Sequence, residues 1–445
     1  MDHREQAEMT TRAALLLFAA VRLSGQMPAE PDGTLARARV RIVATLRQLP
    51  KYTCVQTIDR SYYVRAVTTS IPSCDDTRKS RDAVHLNYTD RVRLDVAQSE
   101  GREIHSWPGA TRFETGNLED LVEHGPVGTG SFGGYLLDIF DNPGTQFTFS
   151  HESADRGRRV FTFSYGVARD ASHYRIRTND GWFVTPYEGT FDLDAASLEL
   201  LRITVATPDL PPETSLCRAQ SSLEYAPVHI GDSDFLLPSQ SQLRLINRGT
   251  VETNSATVFT GCKEYLAESS VHFGEADLPG DHVAAGRKLL GRLPEGIRLV
   301  MRLNAPIDSD TAAAGDAVTA TLTSAVRDQK SREILFPAGA VALGRISLMQ
   351  HSVLPTPRFM VGIHWDVLTN GADSAPFTAI LDRTGEMLQS STQMQSLRRR
   401  PVPIGPPDAL TSQAGGKRYV IPARYEMRWV TVTPPPLKSQ SRKND

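Results

Sequence analysis

Few residues of this sequence are arranged in a way that supports catalysis. The stretch 128–133 has the spacing G-x-G-x-x-G, but a dinucleotide-binding loop must follow a strand and open a helix in a βαβ unit. The residues before it are predicted to be helical or irregular, and no Lys follows that would make a phosphate loop. The stretch also fails as a G-x-S-x-G nucleophile elbow, because Thr129 stands where the first glycine is required. We interpret it as a glycine-rich turn.

The histidines and paired carboxylates do not indicate a catalytic or metal site either. The eleven histidines are scattered, with no H-E-x-x-H and no His-x-His cluster. His151 and His173 are interpreted as surface or structural residues. Asp192 and Asp194 would lie on one face of a strand and suit acid–base work or a cation, but beside a turn we expect them to cap a hairpin. We assign no catalytic residue, no metal ligand and no cofactor, and we expect a protein that is not an enzyme.

The cysteines predict disulfides. Cys54 and Cys74 are 20 positions apart, and Cys217 and Cys262 are 45 apart, so no C-x-x-C of a zinc ribbon or a thioredoxin occurs. In an oxidising compartment four cysteines can pair in three ways. Local pairing, Cys54–Cys74 and Cys217–Cys262, is the simplest.

Residues 1–26 have the organisation of a secretory signal peptide. Arg4 and Arg12 precede the apolar run 13–21, and small residues follow it. A short buried helix is the alternative interpretation. The leader predicts a periplasmic or secreted protein. No other stretch approaches 18 uninterrupted apolar residues, so no transmembrane segment is expected after cleavage.

Composition excludes further classes. Lys and Arg number 49 and Asp and Glu number 51, so the net charge of -2 gives no basis for binding nucleic acid through bulk charge. A hydrophobic content of 40% is ordinary for a folded soluble protein. At about 150 residues per domain, the length suggests two or three domains.

An amphipathic helix is predicted after the leader, from Thr34, as its cap, to Leu49. Apolar residues recur at three- and four-residue steps and Pro50 ends the pattern; they are Leu35, Ala38, Ile42, Leu46 and Leu49. The polar side carries Arg37, Arg39, Arg41 and Arg47 and no acidic residue. We favour the solvated side of a helix that lies on a sheet over a helix on a membrane surface.

Residues 33–273 predict a mainly β (α+β) domain. Many segments alternate apolar and polar residues, as in Val160–Tyr165. With one helix in front and a short one at Tyr135–Phe140, they predict a curved antiparallel half-barrel sheet around the N-terminal helix. The aromatic residues that would line its concave face, and that we predict to bind a ligand, are Phe147, Phe149, Phe161, Phe163 and Tyr165.

A smaller all-β barrel domain is predicted at 295–432, after a polar linker at 275–294. Within it, residues 384–416 are rich in Ser, Gln, Pro, Gly and Arg and are expected to form a mobile loop. The tail 434–445 is expected to be disordered.

Several of these motifs resemble those of known families. The basic helix followed by Leu49–Cys54, with Phe235–Pro238, resembles an exported bacterial family of unknown function that is typical of Acidobacteria. The helix together with the Tyr187–Asp194 and Leu201–Ile203 hairpin is similar to the LolA, LolB and RseB group. Those proteins are periplasmic half-barrels whose concave sheet holds lipid or acyl chains under a helical lid. Residues 293–347 resemble the small β-barrel of TrbI-type conjugation and secretion scaffolds.

The resemblance implies a non-enzymatic, exported cell-envelope protein that binds a lipid, an acyl chain or an envelope protein on its concave sheet. A periplasmic scaffold that acts by protein–protein contacts is one alternative. A secreted hydrolase with an unrecognised site is another. An open apolar cavity would favour the carrier, a closed packed sheet the scaffold, and a concave cluster of His, Asp and Ser the hydrolase.

The leader gives a first testable prediction. Signal peptidase cleaves at small residues that follow an apolar run. The exported protein should therefore begin between about Val21 and Glu30. N-terminal sequencing of protein secreted by a bacterial host checks this. A full-length product retained in the cytoplasm would contradict both the leader and the expectation of disulfides.

Overall fold

The structure of the protein is a computed structural model. It describes residues 31–65, 73–74, 84–99, 102–110, 118–122, 125–128, 134–178, 181–248, 251–264, 288–289, 291–328, 330–355, 357–382, 406–412 and 418–434. The predicted leader, residues 129–133 of the glycine-rich stretch and positions 435–445 of the predicted tail lie outside these ranges.

The described residues are mostly in strands. The helices are α1 (Pro31–Gln48), α2 (Leu118–Leu121) and α3 (Gly134–Phe140). The strands of the N-terminal part are β1 (Tyr52–Arg65), β2 (Val84–Ser99), β3 (Arg102–Ser106), β4 (Thr145–Asp155), β5 (Arg158–Val167), β6 (Arg175–Thr178), β7 (Gly181–Val184), β8 (Tyr187–Asp194), β9 (Leu200–Ala206), β10 (Leu216–Ile230), β11 (Ser233–Asn247) and β12 (Val251–Glu264). The strands of the C-terminal part are β13 (Lys288–Leu289), β14 (Arg298–Leu303), β15 (Ile307–Asp308), β16 (Ala317–Leu322), β17 (Val326–Arg327), β18 (Ile334–Phe336), β19 (Val341–Ser352), β20 (Arg358–Asn370), β21 (Asp373–Pro376), β22 (Ala379–Leu381), β23 (Ala409–Ser412), β24 (Val420–Ile421) and β25 (Glu426–Thr431).

The N-terminal strands form a curved antiparallel sheet. Its order is β3-β2-β1-β12-β11-β10-β9-β8-β5-β4. The sheet is not closed into a barrel, and within the described residues β3 and β4 are its edges. The predicted fold class, a mainly β protein with a half-barrel sheet, is confirmed. We call the space on its concave side the hollow.

Helix α1 lies in the hollow, as predicted. Its apolar stripe places Ala38 and Ile42, 0% and 6% exposed, in one buried cluster with Phe163 of β5 and Ile203 of β9. Period-2 strands present apolar side chains on one face of the sheet, and the stripe of a 3.6-residue helix covers that face. The helix extends over Pro31–Gln48, three residues further toward the N-terminus than predicted.

The C-terminal strands form a second β unit with its own core. Strand β14 pairs with β16 and β25, and β19 pairs with β16 and β20. Trp365 and Trp429 are fully buried at its centre, with an edge-to-face contact of 5.7 Å between ring centroids.

Two predicted irregular segments contain ordered structure. In the region 384–416, expected to be a mobile loop, Ala409–Ser412 is strand β23 and hydrogen-bonds to β20. In the predicted linker 275–294, Lys288–Leu289 pairs with β21, and Leu293 is only 7% exposed in the C-terminal core. Both strands were missed for the same reason. A strand of two to four residues is too short to show a period-2 pattern, and its partner lies far away in the sequence.

The two units are joined by shared hydrogen bonding on β2. The half of β2 near Tyr88–Asp90 pairs with Gln350–Ser352 of β19. Further along, the Arg93 amide donates to the Ala314 carbonyl at 2.8 Å, and the Ala314 amide donates to the Arg91 carbonyl at 2.9 Å. The C-terminal unit therefore continues the sheet of the half-barrel.

The disulfides are Cys54–Cys262 and Cys74–Cys217, so the local pairing predicted from the sequence is wrong. Cys54 lies on β1 and Cys262 on β12, which are hydrogen-bonded neighbours although 208 positions separate the two cysteines. The prediction assumed that cysteines near in sequence lie on neighbouring strands. Here the first strand of the sheet pairs with the last.

This connectivity is directly testable. Peptide mapping without reduction should recover peptides that link Cys54 to Cys262 and Cys74 to Cys217. Because both closed loops are long, Cys54→Ala and Cys262→Ala should each lower the free energy of unfolding by about 2–5 kcal/mol. The double variant should lose no more than either single one, since both remove the same bond. A peptide that links Cys54 to Cys74 would contradict the structure.

Candidate functional site

One end of the hollow is filled by aromatic side chains. The five predicted lining residues, Phe147, Phe149, Phe161, Phe163 and Tyr165, all come together there, with Phe140 and Phe191 beside them. We call these seven the aromatic cluster. The Phe163 and Phe191 rings stack at 5.3 Å, and Phe149 meets Phe163 edge-on at 5.5 Å. In this structure the cluster is packed core under α1 and α3, not the wall of an open cavity.

Helix α1 covers the aromatic cluster with its apolar stripe and also contacts the rim of the hollow through its polar side. The Arg39 guanidinium donates two hydrogen bonds, of 3.1 and 3.0 Å, to the Phe140 carbonyl and lies 4.9 Å from the centre of the Phe147 ring. Arg47 pairs with Asp141 at 2.8 Å, and Arg41 pairs with Glu199 at 3.4 Å. The arginine side, expected to be simply solvated, therefore also attaches α1 to the rim of the hollow.

A small cavity opens beside the second half of α1. Its volume is about 130 Å³. The apolar side chains that line it are Ile42, Leu46, Leu136, Leu198, Leu200 and Leu236, and polar side chains at its edge are Arg41, Thr45, Glu199 and Asp234. The cavity thus combines an apolar interior with a polar edge, the usual character of a ligand-binding pocket.

The turn at this cavity is capped as predicted. The Asp194 carboxylate accepts hydrogen bonds from the Ala196 and Ser197 amides, at 2.8 and 3.0 Å. The Ser197 amide is the main cause that holds the pKa of Asp194 below its ordinary value. Asp192 points to the neighbouring strand and accepts a hydrogen bond from the Thr162 hydroxyl at 2.8 Å. Asp194 therefore caps the hairpin as predicted, whereas Asp192 instead connects β8 to β5.

The other end of the hollow carries polar side chains among apolar ones such as Ile58, Leu94 and Val96. Because cross-strand partners point to the same face, Tyr52, Gln98 and Glu103 form one row across β1, β2 and β3. His105 lies in the next row, and Gln56 lies further along β1. Sequence reasoning missed these residues, since single polar residues in a strand suggest the solvent face. The signal was present in the period of two, which puts Gln56 on the same face as Cys54 and Ile58.

A buried ion pair lies on the same face. Arg60 donates from Nε and Nη2 to the two oxygens of Asp90, at 2.6 and 2.8 Å, and the side chains are 4% and 10% exposed. Burial raises the pKa of Asp90 above its ordinary value, although Arg60 acts in the opposite direction. Burial also lowers the pKa of His105 to about 4, so its ring is neutral at pH 7.

The two histidines singled out in the sequence lie on the surface, as expected. His151 is exposed, and His173 is 75% exposed at 3.2 Å from Asp138. Within the described ranges, no group of three or more His, Cys, Asp or Glu could hold a metal ion. No helix of the described part combines the length and apolar character needed to cross a bilayer.

No protein-family model and no curated protein matches the sequence. Three solved structures are similar to parts of it. An outer membrane lipoprotein-sorting protein domain from Vibrio parahaemolyticus has 10% identity and a TM-score of 0.26, over 54% of this chain and 93% of that one. A DUF1329 family protein from Desulfovibrio piger has 10% identity and a TM-score of 0.26, over 55% and 98%. ComB10 of the Com type IV secretion system of Helicobacter pylori has 12% identity and a TM-score of 0.19, over 31% and 86%. These values assign the chain to no family.

The buried ion pair gives a prediction for stability. Arg60→Met should lower the free energy of unfolding by about 3–5 kcal/mol at pH 7, because it leaves the Asp90 carboxylate buried and uncompensated. The loss should shrink toward pH 5, since the raised pKa of Asp90 lets the unpaired carboxyl take up a proton. Urea unfolding at both pH values measures this.

Arg159→Met is the matched control, because Arg159 pairs with Glu152 at 2.7 Å on the exposed surface. It should leave the unfolding midpoint unchanged. Equal losses in the two variants would contradict the assignment of Arg60–Asp90 as a buried pair.

Proposed function

We propose that this protein is an exported cell-envelope protein that binds one apolar chain, such as the acyl chain of a lipid or of a lipid-modified partner, in the hollow beneath α1. The observation that supports this is the way α1 covers the aromatic cluster: a half-barrel with a large apolar concave surface is closed by one shallowly seated helix.

The attachment of α1 is limited. Among the side chains of residues 33–48, Thr34, Ala38 and Ile42 alone are buried, whereas Leu35, Val43 and Leu46 are partly exposed. The ion pairs of Arg41 and Arg47 lie in solvent and contribute little. A ten-carbon chain buried in place of the helix stripe would contribute about 8 kcal/mol, at roughly 0.8 kcal/mol per CH₂. A chain can therefore compete with α1 for the aromatic cluster.

The cavity beside α1 is the natural point of entry. Leu46 lines it together with Leu198 and Leu236, so an apolar chain that enters there first contacts leucine side chains. Further insertion between α1 and the strands would bring the chain to the Phe161 and Phe163 rings. In this proposal α1 acts as a cover that moves when the chain binds, and the protein binds its ligand without transforming it.

The two disulfides support export, because such bonds form and persist in oxidising compartments. A periplasmic or secreted location also matches the predicted leader. In that setting an apolar chain needs a protein that shields it from water.

A scaffold that acts by protein contacts is the second candidate. The continuous hydrogen bonding between β2 and β19 favours it, because a rigid connection would let two surfaces be presented at a fixed angle. Absence of any bound apolar chain in the exported protein would favour this role over the carrier.

The central experiment is native mass spectrometry of the exported protein, as purified and after incubation with decyl glucoside or decyl phosphate. We expect one adduct per chain. Leu46→Ala should reduce occupancy about fivefold or more, because Leu46 lines the entry cavity, and should lower stability by about 1 kcal/mol. Val40→Ala is the matched control, since Val40 lies on the outer side of α1 and is 72% exposed. Absence of any adduct on the wild-type protein, or equal effects of the two substitutions, would contradict the proposal.

A further inference from the structure

The inner face of the half-barrel is divided into two chemically different halves. Strands β4, β5, β8 and β9 contribute the aromatic cluster and its aliphatic neighbours. Strands β1, β2 and β3 contribute apolar residues such as Leu94 and Val96 to the same concave face, and among them several hydrogen-bonding side chains. We define the polar band as Tyr52, Gln56, Gln98, Glu103, His105 and Tyr225. An apolar chain cannot form hydrogen bonds with these groups, so binding of such a chain does not explain why they are there.

Several atoms of the polar band are buried without a hydrogen-bond partner. They are Gln56 Oε1, Gln98 Oε1, His105 Nε2 and Tyr225 Oη, and no described group hydrogen-bonds to them. The residues themselves are deeply placed: Gln56 is 2% exposed, His105 6% and Tyr225 7%. Buried polar atoms in folded proteins nearly always have a partner, and leaving one without costs free energy. Four such atoms lie on one inner surface, where a bound molecule would supply the hydrogen bonds that the described residues do not.

The polar band adjoins the aromatic cluster. Tyr225 of β10 belongs to the same buried cluster as Phe163 and Phe191. After burial, the Glu103 carboxylate is the next cause that raises the pKa of Tyr225, so the two groups interact electrostatically. Tyr135 of α3 packs against the aromatic cluster. The pKa of Tyr135 is raised first by burial, then by Tyr174 and then by Glu103. Tyr225 and Tyr135 therefore pack with the aromatic cluster and interact electrostatically with Glu103 of the polar band.

We propose that the ligand of the hollow is amphipathic, with its chain on the aromatic cluster and a hydroxyl-bearing head, as in a glycosylated or glycerol-based lipid, on the polar band. This inference rests on the proposed function and specifies its ligand. The head groups of lipids differ chiefly in charge and in hydrogen-bond donors, and the polar band discriminates between them on both counts.

The unpartnered atoms of the polar band would be satisfied by a ligand that donates hydrogen bonds. The amide oxygens of Gln56 and Gln98 only accept, while Tyr225 Oη can accept or donate. The neutral imidazole of His105 has one nitrogen that accepts. Hydroxyl groups satisfy all of these atoms, because each donates one hydrogen bond and accepts others.

The same surface disfavours a phosphate. A phosphate presents acceptor oxygens to acceptor atoms, and the Glu103 carboxylate adds like charge. The buried guanidinium on this face, Arg60, is already bound bidentately by Asp90. Phosphate-binding sites instead present guanidinium groups or clustered backbone amides.

The test compares three ligands that share a ten-carbon chain and differ in the head: decyl glucoside, decyl phosphate and decyltrimethylammonium, each below its micellar concentration. Isothermal titration calorimetry on the intact exported protein should show decyl glucoside binding about tenfold or more tightly than decyl phosphate. That ratio corresponds to one or two hydrogen bonds. Decyltrimethylammonium carries charge but no donor, so it should bind more weakly than decyl glucoside. Tightest binding of decyltrimethylammonium would mean that Glu103 selects for charge, and it would overturn the hydroxyl assignment.

His105→Leu and Gln98→Leu are the informative variants. Each should reduce the preference for decyl glucoside over decyl phosphate to about threefold or less. Neither should unfold the protein, because replacing an unpartnered buried polar group with an apolar one is close to neutral for stability; thermal melts check this. Gln242→Leu, at an exposed position on the outer face of β11, is the matched control and should keep the full preference.

The outcomes separate the two proposals. If none of the three ligands binds, the proposed function itself fails. If all bind with equal affinity, or if the preference survives in both inner-face variants, the chain is bound but the polar band serves only to hold water in the hollow. That result would overturn this inference alone.

Discussion

The half-barrel depends on the pairing of β1 with β12. This pairing places the first strand of the sheet between β2 and the last strand, so β1 becomes a central strand. Only three residues separate α1 from β1, and α1 must therefore turn back over the sheet that β1 belongs to. The apolar stripe of α1 and the concave face of the sheet then cover each other. The Cys54–Cys262 disulfide fastens the same pair of strands covalently.

That arrangement produces a hollow in which the aromatic cluster fills one end and the polar band lies at the other. The filled end is stable because aromatic rings stack on one another and on α3, with Phe191 in contact with Phe140, Phe147 and Phe163. The cover over it is the weaker element, since α1 buries Thr34, Ala38 and Ile42 and leaves Leu35, Val43 and Leu46 partly exposed. If α1 and an external apolar chain bind the aromatic cluster with similar free energies, the chain can replace the helix there.

Much of the fold followed from local patterns. The helix of residues 34–49, the short helix near Tyr135 and the turn at Asp194 were predicted from apolar periodicity and turn residues, and the structure contains each of them. The disulfide connectivity and strand β23 were not, because both depend on partners far away in the chain. The five aromatic residues predicted as a lining lie in one cluster, and their binding of a ligand stays a prediction; their close packing and the cover formed by α1 are tertiary features. The polar band was missed because inward-facing Gln56 and His105 break the rule that polar residues of a half-buried strand face solvent.

The most direct test of the central claim is hydrogen–deuterium exchange of the exported protein with and without saturating decyl glucoside. The account predicts that amides of α1, Pro31–Gln48, exchange faster when the ligand is bound, because the chain displaces the helix from the aromatic cluster. The amides of β5 and β8 should be as protected as before or more so. Unchanged or slower exchange throughout α1 in the ligand-saturated protein would contradict the claim that the chain binds beneath this helix.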